Sequence, residues 1–381
     1  MVIGLQQQEK IEIVMGGSPF FKELVHQIEA SKSVIQIQTY IFLDDTTGHL
    51  IASALIKAAA RGVKVYVLVD GYASRILANS LAPKMKEAGI QFRFFKALFS
   101  GSDFYIGRRL HHKIAVFDSK CALVGGINIA DRYNEIDGVK PWLDFAILIE
   151  GPLANEVCVL CSKTWNGYSP SFKPLPCTST QFNANAVSAR LRRNDWLRGK
   201  VQISSSYLSI CKQAKKEIFI LCSYFLPGRV IRAALSAAVK RGVKVKVIVG
   251  SFSDVPFSKA AERFWYDWML RNKIEIYEYQ PNVLHGKVAV VDDCFFTIGS
   301  YNVNDISAHA SIEANVDVLS PELAIQWRTI LESIILHDCS AITTDHPLQK
   351  INIFRQFFRW FSYELIRVVL YLFTFYFKRS R

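Results

Sequence analysis

The sequence predicts an α/β protein made of two duplicated α-β-α sandwich domains, with mixed, largely parallel sheets related by a pseudo-twofold axis. Three observations predict it. Strand-like and helix-like segments alternate along the chain, and 381 residues is long for one domain but natural for two packed ones. The third is repetition. Ala214–Phe225 answers Ala30–Ile41, Arg241–Val249 answers Arg61–Val69, and His285 answers His111; the paired starts lie 184, 180 and 174 residues apart. A nearly constant offset across three elements means that a whole α/β unit was duplicated.

Taken in order, residues 9–16 read as a first strand that stops at Gly16-Gly17. Phe20 to Ala30 has the apolar spacing of a helix, and Val34 to Phe42 alternates as a strand does. Leu50 to Ala60 is Ala-rich and helical and breaks at Arg61-Gly62, after which Val63 to Val69 is a buried strand. This β-α-β order implies parallel pairing with helices laid on the sheet. His111 to Val124 and His285 to Ile298 each read as a strand, and Leu153 to Trp165 as a helix. Residues 166–194, rich in Ser, Pro, Thr and Asn and without period, read as a linker. It divides an N-terminal domain, 1–165, from a C-terminal one, 195–345, and residues 346–381 form a tail.

Half the residues are apolar, enough for a large core, and the formal charge of +13 calls for an anionic partner, either nucleic acid or acidic lipid. The tail chooses lipid. Phe354 to Phe377 is dense in Phe, Trp, Tyr and Leu, carries Arg355, Arg359 and Arg367, and runs into Lys378-Arg379-Ser380-Arg381. Its unbroken apolar part, Val368 to Phe377, is shorter than the roughly 20 residues of a bilayer span, which points to an interfacial helix on an anionic membrane surface. The eight cysteines lie mostly in apolar runs and read as buried, reduced thiols facing a cytosol. Cys158-x-x-Cys161 lacks a second ligand pair, so no metal and no cofactor is expected. The N-terminus has neither the basic start nor the apolar core of a signal peptide. The sequence carries no signal for an oligomeric state.

The chemistry is written twice. His111-x-Lys113-x-x-x-x-Asp118 and His285-x-Lys287-x-x-x-x-Asp292 are each followed by a Gly-containing turn and an Asn, at Gly125-Gly126-Ile127-Asn128 and Gly299-Ser300-Tyr301-Asn302. Alternate residues of a strand share a face, so each half offers an imidazole and an ammonium together. Joined across a pseudo-twofold axis, the halves would present His111, His285, Lys113, Lys287, Asn128 and Asn302 to one phosphodiester. One histidine would attack phosphorus and the other would exchange protons with the leaving and entering alcohols. The lysines and asparagines would hold the phosphate oxygens. Asp144 and Glu313, placed comparably after each motif, are the expected acceptors for the histidines' second ring nitrogens. Asp118 and Asp292 complete the motifs as candidate catalytic residues, although strand ends before turns suit them better to bracing.

These motifs resemble those of the phospholipase D superfamily, and within it the short bacterial cardiolipin synthases without N-terminal transmembrane helices. Gln38–Phe42 with Asp44 and Gly48, Arg109–Ile114, Asp144–Pro152 and Ser223–Pro227 add to the likeness. The resemblance implies transfer of a phosphatidyl group from phosphatidylglycerol to His111, then to a second phospholipid hydroxyl, with His285 as acid and base. The pseudo-symmetry allows these two roles to be exchanged. Two departures stand out: His112 replaces a usual Arg, and Trp142-Leu143-Asp144 replaces a more polar stretch. The implied partners are anionic phospholipids, not nucleic acid, and the implied place is the cytoplasmic face of an inner membrane, peripheral or held by the tail. Alternatives from the same chemistry are a phospholipase D releasing phosphatidic acid, or a nuclease.

Overall fold

The computed structural model describes residues 4–95, 99–100, 103–104, 108–168, 175, 177, 187–304, 311–346, 354, 356–365 and 367–368. The first sheet holds β1 (Lys10–Met15), β2 (Val34–Thr39), β3 (Lys64–Asp70), β4 (Gln91–Phe95), β5 (Lys113–Phe117), β6 (Cys121–Gly125) and β7 (Phe145–Glu150), in the order β1-β7-β6-β5-β2-β3-β4. The second holds β8 (Val187–Asp195), β9 (Glu217–Cys222), β10 (Lys244–Gly250), β11 (Glu275–Tyr279), β12 (Lys287–Val291), β13 (Phe295–Gly299), β14 (Ser311–Leu319) and β15 (Cys339–Ile342). Its order is β8-β14-β13-β12-β9-β10-β11-β15, with Gln6–Gln8 added at the β8 edge. The run β7-β6-β5-β2-β3-β4 matches β14-β13-β12-β9-β10-β11 strand for strand, so the duplication read from the sequence is a duplication of topology.

Parallel pairing is less extensive than the sequence suggests. Within each repeated half, β2-β3-β4 and β9-β10-β11, the strands joined by helical crossovers, run parallel; their neighbours on the motif side are antiparallel. The cause is local. Each segment read as one long motif strand folds back as a hairpin, β5-β6 and β12-β13, at Asp118-Ser119 and Asp292-Asp293. These four residues have φ of 50°, 59°, 51° and 52°, the left-handed conformation that tight hairpin turns require and that Asp tolerates better than most residues.

The helices are α1 (Ser18–Ala30), α2 (Thr46–Ala60), α3 (Leu81–Glu87), α4 (Pro152–Trp165), α5 (Gln202–Gln213), α6 (Arg229–Lys240), α7 (Pro256–Phe264), α8 (Tyr266–Arg271) and α9 (Pro321–Asp338). The Asp45 carboxylate caps α2 by accepting from Gly48 N at 2.9 Å. A Cβ at Gly48 would lie 1.9 Å from Leu43 O, so only glycine fits there. Helices α1–α3 bury Phe21, Leu24, Ile51, Leu55 and Met85 against the outer face of the first sheet. Residues of α5, α6 and α8 do the same for the second. The inner faces share one central core with α4 and α9, where Trp327 meets Phe145 edge-on at 5.1 Å and Phe296 at 6.0 Å. That shared core fixes one motif hairpin relative to the other.

Two sequence readings are corrected here. Residues 187–194, placed in the linker by composition, are most of β8, which pairs antiparallel with β14. Their polar character comes from Arg190, Arg192 and Arg193; the Arg190 guanidinium donates to the buried Asp317 carboxylate at 2.9 and 3.0 Å. Nor are all the cysteines thiols: Cys158 of α4 is bonded to Cys177, while Cys121, Cys161, Cys211, Cys222, Cys294 and Cys339 are free. Facing inward on α4 places Cys158 against its partner, which apolar context alone does not reveal. In the tail, residues 356–365 are helical, and residues 369–381 lie outside the described residues. Among the described residues no helix is long and apolar enough to cross a membrane.

Candidate active site

His111 and His285 sit just before β5 and β12, where each half touches the other through its backbone. Arg109–Leu110 pairs in parallel with Ser311–Ile312, and Leu284 bridges Leu143. His111 N donates to Ile312 O at 3.0 Å, and His285 N donates to Leu143 O at 2.8 Å. The residue following each acceptor is a buried carboxylate. Glu313 Oε2 lies 2.9 Å from His111 Nδ1, and Asp144 Oδ2 lies 2.6 Å from His285 Nδ1. The two pairs are therefore crossed: each histidine is oriented by the carboxylate that follows the other half's motif. With Nδ1–H committed to a carboxylate, Nε2 is the nitrogen left for chemistry in both rings.

Each lysine lies beside the histidine of its own motif. Lys113 Nζ donates to His111 O at 2.9 Å and lies 5.3 Å from the centre of the Tyr40 ring. Lys287 Nζ donates to Ser223 Oγ at 2.9 Å and to His285 O. Both are almost fully buried. Burial pulls Lys113 down to about 7, with the Lys287 charge adding to the effect, and burial lowers Lys287 as well. Burial also lowers both imidazoles, His285 to about 3 with the help of Lys287 beside it. Burial works to raise the Glu313 carboxyl, but His111, Lys113 and the Ser300 hydroxyl outweigh it and hold Glu313 below its usual range. Burial thus favours the neutral imidazoles and disfavours the charged form of both lysines. A phosphodiester anion entering the site would reverse both tendencies.

Aromatic rings wall the pair. Tyr40 meets His111 edge-on at 5.0 Å, and Tyr133 meets His285 at 5.1 Å with Trp142 at 6.0 Å. The halves differ at the second residue of the matched turns. A Cβ on Gly126 would fall 2.3 Å from Asp144 Oδ1, so glycine is required there. Its counterpart Ser300 instead donates to Glu313 Oε2 at 2.5 Å, and Ser311 Oγ donates to Oε1 at 2.7 Å. Asp144 Oδ1 accepts from Phe145 N at 2.8 Å.

Other expectations fare differently. Asp118 and Asp292 lie at the far ends of the motif strands and do not reach the histidines. Asp118 accepts from the backbone N–H groups of Lys32, Ser33 and Val34, and Asp292 from those of Lys215, Lys216 and Glu217. They brace the turn, the role their position at strand ends suits better than a catalytic one. Asn128 Oδ1 accepts from Ile41 N at 3.0 Å and its Nδ2 donates to Tyr133 OH at 2.8 Å, so it orders the aromatic wall with one of its two amide N–H groups. Asn302 is buried near Cys222, whose Sγ lies 3.9 Å from Oδ1. His112 points away from His111 into the core, with Nδ1 3.0 Å from Gln38 Oε1, and burial lowers it to about 3. Sequence reading missed Ser223, Ser300 and Ser311. Ser300 stands in the quoted Gly-Ser-Tyr-Asn turn, where its difference from Gly126 was the available signal.

The family described as "Cardiolipin synthase, PLD-like domain" matches residues 24–138 and 207–335, two blocks that carry both motifs and cover more than half of the chain. The chain belongs to this family. Members similar to it include Cardiolipin synthase B of Salmonella typhi, 31% identical over 347 residues that span 90% of this chain and 84% of the relative. Cardiolipin synthase B of Escherichia coli K12 is 29% identical over 342 residues, 88% of this chain and 83% of its own. Among solved structures, a phosphatidylserine synthase of Haemophilus influenzae Rd KW20 is similar with a TM-score of 0.73 over 97% of this chain and 96% of its own, at 15% identity. That likeness carries the fold alone. Membership of the cardiolipin synthase PLD-like family makes this chain an enzyme of the phospholipase D superfamily.

Proposed function

We propose that the chain is a cardiolipin synthase-like phosphatidyltransferase working through a phosphohistidine. The crossed His111–Glu313 and His285–Asp144 pairs support this reading, because a carboxylate from the other half holds each Nδ1 and a buried lysine lies beside each histidine. Phosphatidylglycerol binds with its phosphate between Lys113 and Lys287, and its negative charge draws a proton onto His285. His111 Nε2 attacks phosphorus, the phosphorus–oxygen bond to the glycerol headgroup breaks, and His285 gives that oxygen its proton. The headgroup hydroxyl of a second phosphatidylglycerol then loses its proton to His285 and attacks the phosphatidyl-histidine. The phosphorus–nitrogen bond breaks, His111 is regenerated, and cardiolipin forms with one glycerol released. The lysines stabilise the charge on the phosphoryl oxygens in both steps.

On this reading residues 1–165 and 195–345 act as two half-sites, and 346–381 holds the enzyme to the membrane that contains its substrate. The relatives' names support the reaction, and the exposed aromatic residues of the tail helix support the place. The test is to incubate the purified chain with phosphatidylglycerol vesicles and to separate the products. Cardiolipin with equimolar glycerol is expected. Phosphatidic acid with no cardiolipin would replace the transferase by a hydrolase, and cleavage of single-stranded DNA without either lipid product would make it a nuclease.

A further inference from the structure

The proposed reaction brings two phosphodiesters to one site, and Lys113 and Lys287 account for only the first. The attacking hydroxyl of the acceptor lies one glycerol length from the acceptor's own phosphate. That second anion needs a cation just beyond His285, the residue that takes the hydroxyl proton. Without one, the two phosphates would repel each other as they approach.

Arg132, on the loop between β6 and β7, stands in that place. His285 is walled by Tyr133 at 5.1 Å and Trp142 at 6.0 Å. The Arg132 guanidinium lies over both rings, 4.7 Å from the centre of Trp142 and 5.6 Å from that of Tyr133, and is thus one ring removed from the imidazole. Backbone bonds anchor the stack: Trp142 N donates to Arg132 O at 2.8 Å, and Gly17 N donates to Tyr133 O at 3.2 Å. The same loop ends in Asp144, whose carboxylate holds His285 Nδ1 at 2.6 Å. One loop therefore carries both the guanidinium and the group that orients the histidine.

The guanidinium is uncommitted. Arg132 is exposed and makes no ion pair and no side-chain hydrogen bond among the described residues. Its acidic neighbours are spent elsewhere. Asp131 accepts from Thr47 N at 2.7 Å and from Thr46 N at 3.3 Å. Asp45 senses the Arg132 charge but gives its oxygens to Gly48 N and Asp131 N, each at 2.9 Å. A guanidinium resting on aromatic rings presents a planar fork of donors that matches a phosphate, and it loses less freedom on binding than a flexible ammonium.

We infer that Arg132 is the anion-binding end of the acceptor subsite, where it holds the phosphate of the second phospholipid while that lipid's headgroup hydroxyl reaches His285. The inference rests on the phosphatidyltransferase reading above and gives it an acceptor specificity. Water and simple alcohols carry no phosphate and gain nothing from the guanidinium. An acceptor phospholipid does, so Arg132 favours cardiolipin over hydrolysis at a centre whose chemistry would serve either.

The test gives the full chain detergent-dispersed phosphatidylglycerol as donor and compares acceptors. Cardiolipin formation takes a lipid acceptor. Exchange of labelled glycerol into phosphatidylglycerol, the first step run backwards from phosphatidyl-histidine, takes a neutral one. Glycerol 3-phosphate carries the anion without acyl chains. In Arg132→Gln the ratio of cardiolipin formed to glycerol exchanged should fall about tenfold or more. The wild type should use glycerol 3-phosphate ahead of glycerol, and Arg132→Gln should lose that lead. Arg132→Lys, which keeps the charge, should retain most of both. The exposed position does not endanger folding, and glycerol exchange itself reports an intact catalytic centre. An unchanged ratio in Arg132→Gln, or an equal loss of both reactions, overturns the proposal. A wild type that exchanges glycerol but forms no cardiolipin would count against the synthase reading. The lead of glycerol 3-phosphate over glycerol, kept or lost in Arg132→Gln, would then decide the role of Arg132 by itself.

Discussion

Changing Glu313 to Gln or Asp144 to Asn keeps an oxygen beside each Nδ1 but removes the charge that selects the tautomer and steadies the imidazolium. By analogy with loss of the orienting carboxylate in serine hydrolases, kcat should fall by about 10³–10⁴ in each variant with KM little changed. A fall of under tenfold would show that the pairs are only structural. Lys113 offers a second test. Its usual value is 10.5, and in the folded chain burial takes it to about 7. Between those values the unfolded lysine holds a proton that the folded one has released, so stability rises as pH rises through this window. The full linkage is on the order of 5 kcal/mol. Lys113→Met should remove that slope, raising stability at pH 7 more than at pH 10 in urea titrations, and should abolish turnover. At this scale much was legible: the histidines, the lysines and both carboxylates could be named from a repeated pattern. The crossing was not, because spacing within one half says nothing about which half supplies a partner. The tie from Asn128 to Tyr133, five residues on, was not legible either, since a turn position does not say which ring its amide meets.

Among the elements, the hairpin turns carry the surprise. The motif aspartates were legible as matched members of the repeat that suit bracing, but the hairpins they brace were not, because a strand period continues through a tight turn without a break when both flanks are apolar. Asp118→Ala leaves three backbone N–H groups without their acceptor and loosens a turn already held at positive φ. It should cost about 1–3 kcal/mol of stability while leaving kcat of the folded fraction within a few-fold. A dead but fully stable variant would restore Asp118 to the chemistry. The Cys158–Cys177 bond closes a segment 19 residues long in sequence separation. Reduction, or Cys177→Ser, should lower stability by about 3 kcal/mol in denaturant titrations, and an unchanged midpoint would mean that the closure is not felt. Composition could not predict that bond, since apolar neighbours describe a buried cysteine whether or not it is paired.

Over the whole molecule, the near-constant offset between halves foretold the matching strand orders. What it left open was how the halves unite. They do so through a shared core around Trp327 and through the two backbone bridges that precede the histidines. The parallel share was overread because β-α-β segments are easy to recognise, whereas antiparallel additions come from hairpins that look like single strands. In the proposed reaction one composite site forms a covalent phosphatidyl-histidine on His111 and uses His285 to move the proton. The most direct measurement is single-turnover reaction with phosphatidylglycerol labelled in its phosphate, quenched in alkaline denaturant. Label should appear on the chain within the first turnover, accumulate in His285→Ala when the leaving group is a good one, and be absent from His111→Ala. Label-free turnover in the wild type, or labelling that survives His111→Ala, would contradict the account.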